Sequence, residues 1–86
     1  MNTEAKLQEV LELGQARGFH TEVRNNEVTV YLVTTAEFGE LKHRPVSVRA
    51  VISNLGRKTI SFYEIGTRQH KLTRNEALDT IRNISI

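Results

Sequence analysis

Apolar and polar positions alternate most densely along residues 46–65, VSVRAVISNLGRKTISFYEI. Successive side chains of a strand point to opposite sides. Val46, Val48, Ala50 and Ile52 therefore share one face, and Ser47, Arg49, Val51 and Ser53 the other. After a turn over residues 54–57 (Asn-Leu-Gly-Arg), Ile60 and Phe62 return on the first face, with Thr59, Ser61 and Tyr63 on the second. The stretch reads as a β-hairpin, and the segments on either side of it can pair with it or cover it.

Two shorter alternating runs precede it. In residues 19–24, Phe19, Thr21 and Val23 oppose His20, Glu22 and Arg24; in residues 28–33, Val28, Val30 and Leu32 oppose Thr29, Tyr31 and Val33. Between them, Asn25-Asn26 suits a tight two-residue turn, because asparagine tolerates positive φ. Upstream, Leu7, Val10, Leu11 and Gly14 recur at helical spacing and predict a helix over residues 3–17. Asn2 or Thr3 caps its start, Gly14 permits close approach to a sheet, and Gly18 suits the left-handed position that ends a helix. Downstream, Thr73-Arg74-Asn75-Glu76 is a capping box, and the helix it opens buries Ala77, Leu78 and Ile81. Two pieces stay open. Residues 34–44 read either as a long loop or as a short helix opened by Thr34 or Thr35 and anchored by Phe38 and Leu41, ending at Pro45. Residues 67–72 read as a short basic edge strand or a loop.

Together these elements predict a single α+β domain over residues 1–86. Its architecture is a two-layer sandwich: a four-stranded antiparallel meander with an N-terminal and a C-terminal helix on one face (α-β-β-β-β-α). At 86 residues the core is modest, and without cysteine neither disulfides nor thiolate metal sites can reinforce it. No apolar run approaches the roughly 18 residues of a membrane span, and the first ten residues lack the apolar stretch of a signal peptide. The expected compartment is the cytoplasm, or the interior of a host cell.

Net charge is +2, but it is unevenly spread: residues 1–40 carry three basic and seven acidic residues, and residues 41–86 carry nine basic and three acidic. Such asymmetry points to a polyanionic partner. Arg49, Arg57, Lys58, Arg68, Lys71 and Arg74 are the candidate phosphate contacts. Tyr31 and Tyr63, on the same open face of the sheet as Arg49, are candidates for stacking bases. His20, His43 and His70 stand 23 and 27 residues apart, outside compact ligand spacing, so no metal is expected and no cofactor. No nucleophile–base signature and no glycine-rich phosphate loop is present, so the chain is not read as an enzyme. His70 with Tyr63 or Glu64 is the one juxtaposition with catalytic character.

The reading that follows is a small non-enzymatic binding domain for nucleic acid, RNA or single-stranded DNA, acting through its basic C-terminal half. The alternative is a protein-interaction module, such as a small phage or mobile-element regulator or inhibitor of a host protein. It would use a strand edge, residues 34–44 or the acidic first helix. A homodimer is compatible with both.

Overall fold

The computed structural model describes residues 3–53 and 58–84. The elements run α1 (Thr3–Ala16), β1 (His20–Arg24), β2 (Glu27–Tyr31), α2 (Thr35–Glu40), β3 (Ser47–Ser53), β4 (Thr59–Ile65), β5 (Gln69–Leu72) and α3 (Arg74–Asn83). The strands form one antiparallel sheet in the order β1-β2-β3-β4-β5, so every neighbour in space is a neighbour in sequence. The α+β meander between two helices is as the alternation predicts. It gains a fifth strand, because residues 69–72 pair with β4 rather than looping out. The expected turn over residues 54–57 lies outside the described residues.

The period-2 pattern decides which face is covered. Val28, Val30, Val48, Ala50, Ile52 and Phe62 point to one side and join Leu7 and Val10 of α1 and Ala77, Leu78 and Ile81 of α3 in a single buried cluster. Each large apolar side chain so buried contributes about 1.5–3 kcal/mol relative to exposure. Gly14 lets α1 approach: a Cβ there would lie 2.8 Å from both methyls of Val30. The helix ends at Gly18, whose φ of 77° is free for a residue without Cβ. The Phe19 N–H donates to the Gly14 carbonyl and the Gly18 N–H to the Gln15 carbonyl, both at 3.0 Å, which is a Schellman closure.

Asn25-Asn26 makes the predicted two-residue turn, since Arg24 pairs directly with Glu27. Neither asparagine adopts positive φ, so their tolerance of that region is not what closes the turn. The Asn26 carbonyl instead accepts from the Ile52 N–H at 2.7 Å, tying the turn to β3.

α1 and α3 are also joined directly. The Arg17 guanidinium donates to the carbonyls of Arg82 and Ile84, at 2.7 Å for the latter, and so caps the C-terminal end of α3. At the other end of α3 the capping box is complete: the Glu76 N–H donates to Thr73 Oγ1 (3.2 Å) and the Thr73 N–H to Glu76 Oε1 (2.9 Å). Thr73→Ala is expected to lower stability by about 1 kcal/mol. The hydrogen bond from the Thr73 backbone, then that with the Thr73 side chain, holds the Glu76 carboxyl below its ordinary value of 4.5. A carboxyl lowered by folding contributes stability that is fully present above the unfolded value and is lost as pH falls through the folded one. Thermal melts of both proteins at neutral and at acid pH check the cap and this acid limb.

Residues 34–44 resolve into a helix and a loop. Thr34 caps α2, accepting from the Glu37 N–H at 3.2 Å. Phe38 anchors the helix, as predicted, but Leu41 does not: it is 47% exposed, because the chain turns extended at that residue. α2 packs on the face of the sheet opposite α1 and α3, over its β1 side. Among the described residues no helix is long and apolar enough to cross a membrane.

Candidate nucleic-acid interface

The face of the sheet turned away from α1 and α3 is built by the polar half of each alternation. The strand registers align it in rows. Glu22 of β1, Thr29 of β2, Arg49 of β3, Tyr63 of β4 and Lys71 of β5 form one row across all five strands. His20, Tyr31, Ser47, Ile65 and Gln69 form the next.

The two rows differ in what covers them. On the β1 side, α2 lays Phe38 against the sheet: its ring stacks on His20 (4.2 Å between centroids, 22°) and tilts against Tyr31 (4.6 Å, 48°). His20 Nδ1 stands 3.2 Å from Thr35 Oγ1. Arg44 reaches over both rings, 5.7 Å from the Tyr31 centroid and 6.0 Å from that of Phe38, and donates to the Tyr31 hydroxyl. Tyr31 donates in turn to Glu22 Oε1 at 2.8 Å. Burial first, then the Glu22 carboxylate, push the Tyr31 phenol above its ordinary value of 10.0, so it stays a neutral donor. Tyr31 is therefore 6% exposed and has its ring contacts filled from within the chain. Tyr63, on the far side of Arg49, is half-buried and lies clear of α2.

Between the two regions runs a groove of about 380 Å³. It is lined by the buried Thr29, Ser47 and Tyr31, by the bases Arg24, Arg44 and Arg49, by the acids Glu22 and Glu27, and by Pro45, Ile65 and Gly66. Glu27 lies 3.5 Å from Arg49 Nε and Glu22 lies 3.9 Å from Arg44. Arg49 Nε is buried without a hydrogen-bond partner, so its ion pair is incompletely satisfied by the protein.

The basic residues named from the sequence do not form one patch. Arg49 and Lys71 flank Tyr63 on the open face. Arg68 is exposed in the turn after Gly66, held by a bond from the Gly66 N–H to its carbonyl at 3.0 Å. Lys58 and Arg74 lie against α1, where Lys58 pairs with Glu4 at 3.0 Å and Arg74 with Glu9. Arg57 lies outside the described residues. Of the two juxtapositions named for His70, the register places Glu64 directly opposite it across the β4–β5 ladder, whereas Tyr63 points to the other side of the sheet. No group of three or more His, Asp or Glu side chains among the described residues is placed to hold a metal ion.

These pairs also account for much of the charge asymmetry. Glu4–Lys58, Glu9–Arg74, Glu22–Arg44 and Glu27–Arg49 each join an acid of the first 40 residues to a base of the remainder. Partly exposed pairs of this kind contribute about 0–1 kcal/mol each. Their larger effect is to leave fewer uncommitted cations. Comparison with protein-family models, curated proteins and solved structures finds no match to this chain.

Arg44, Thr29, Glu22 and Glu27 are site residues that sequence reasoning passed over. The one available signal for Arg44 was Pro45, which biases the preceding residue toward extended geometry.

Proposed function

We propose that this chain is a non-enzymatic binding domain for single-stranded nucleic acid, held across the open face of the sheet. The alignment of Arg49, Tyr63 and Lys71 on three consecutive strands carries the reading: a ring for a base lies between two cations for the flanking phosphates. Arg44 beside the groove and Arg68 at the β4–β5 turn extend the cationic track at one end of the sheet. Gly66 allows close approach at that end, since a Cβ on it would lie 3.3 Å from Val46 of the α2–β3 connection. Lys58 and Arg74 fall outside the track.

The test is an amide NMR titration with single-stranded RNA, single-stranded DNA and duplex DNA, at low and then moderate salt. Salt-sensitive shifts at residues 47–51, 61–65 and 68–72, strongest with the single strands, are expected. If no nucleic acid moves any amide, the reading is overturned. The protein-interaction alternative would then stand on Leu41 and Val46, 47% and 43% exposed on either side of Lys42, His43 and Arg44.

A further inference from the structure

The groove beside Arg49 holds acids as well as bases, and a track for phosphates alone has no use for carboxylates. Phosphate oxygens accept hydrogen bonds and repel Glu22 and Glu27, which are acceptors only when ionised. The lining as a whole suits a ligand unit that carries both an anion and hydroxyl donors.

The two carboxylates are not equivalent. Glu22 already accepts from the Tyr31 hydroxyl at 2.8 Å and is fixed beneath Arg44. Glu27 has the Arg49 guanidinium 3.5 Å away, with Arg49 Nε making no hydrogen bond. Arg24 stands directly across the β1–β2 turn from Glu27. One acceptor with spare capacity thus sits beside the Arg49 guanidinium, in a groove that Arg24 and the buried Thr29 and Ser47 also line.

Resting on the nucleic-acid reading, we propose that this groove takes one ribose-phosphate unit of an RNA strand. Arg24 and Arg49 hold the phosphates, and Glu27 accepts a hydrogen bond from the ribose 2′-hydroxyl. The 2′-hydroxyl is the group by which a protein tells RNA from DNA at a given position. A sugar without it offers Glu27 no donor, and the loss of one charge-assisted hydrogen bond is on the order of tenfold in affinity.

Three eight-nucleotide strands of one base order, built from A, C and G, test this: RNA, DNA and 2′-O-methyl RNA. The last keeps the ribose oxygen and removes its proton. RNA is expected to bind about tenfold more tightly than either of the others, with amide shifts at Glu27, Thr29 and Ser47 that the others do not produce. Glu27→Gln, checked for an unchanged spectrum elsewhere, is expected to narrow the ratio of RNA to DNA affinity, because the hydrogen bond from the 2′-hydroxyl is no longer charge-assisted while the repulsion of either strand's phosphates is relieved equally. Equal affinity for RNA and DNA, tighter binding of DNA, or 2′-O-methyl RNA matching RNA would each overturn the groove proposal while leaving the nucleic-acid reading in place. Absence of binding by all three would overturn both.

Discussion

Gly14→Val is expected to destabilise the protein by about 3 kcal/mol, at the upper end of the cost of overpacking a core. The Cβ alone would stand 2.8 Å from both Val30 methyls and 3.3 Å from Thr21 Cγ2. Val30 is fully buried and its β-branched side chain is stiff at χ1, so it has little room to yield. α1 must then lift from β2, taking Leu7 and Val10 part-way out of the core. Gly14→Ala meets the same first contact but recovers about 1 kcal/mol of helix propensity, so its net loss is smaller. Adding Val30→Ala to either variant should return part of the loss, a coupling that a double-mutant cycle measures. Gly39→Ala is the control: nothing lies within 4 Å of the added methyl, and it should be neutral or slightly stabilising. Denaturant melts of the set decide it. A Gly14→Val protein as stable as the parent would mean that α1 does not rest on β2 as described.

Tyr63→Ala combined with Lys71→Glu is expected to weaken single-strand binding on the order of a hundredfold, since one aromatic stack is worth about 1–3 kcal/mol. The charge reversal removes a phosphate contact as well, and the slope of log affinity against log salt should fall by about 0.7 for that phosphate. Both side chains are at least partly solvent-facing and neither belongs to the buried cluster, so the fold should survive, as an amide spectrum would verify. Lys58→Gln is the control for a cation outside the row. It removes a cation of the basic half that sits on the opposite face against Glu4, and should change affinity several-fold at most. If Lys58→Gln matched the double variant, attraction to net charge, and not the Arg49–Tyr63–Lys71 row, would be what binds.

Most of the scaffold was legible in the chain because it rests on local rules. The capping box at Thr73, the left-handed Gly18 and the face assignment of Tyr31, Arg49 and Tyr63 all follow from spacing and backbone preference, whereas the two-residue turn before Glu27 stands where expected without the positive φ that was the reason to expect it. What was not legible depends on contacts between distant segments. Alternation says which residues share a face but not what lies upon it. Tyr31 therefore read as an open platform equivalent to Tyr63, until α2 placed Phe38 and Arg44 over it. Phe38 and Leu41 looked alike as anchors, and only the position where α2 ends separates them. The basic residues read as one set because they are near in sequence. Register and helix packing divide them between two sides of the molecule.

The ion pairs that join the two halves of the chain also bear on the state without a fold. Unfolded, the protein is a block polymer, an acidic stretch followed by a basic one, each drawn to the other over a distance set by the Debye length of about 10 Å at 0.1 M salt. Its denatured ensemble is expected to contract at low ionic strength and to swell as salt screens the blocks from each other. Added salt thus weakens the native pairs and loosens the unfolded chain together, and the two effects on stability oppose. The dependence of unfolding free energy on denaturant tracks the surface newly exposed. It should steepen with salt even where the midpoint scarcely moves.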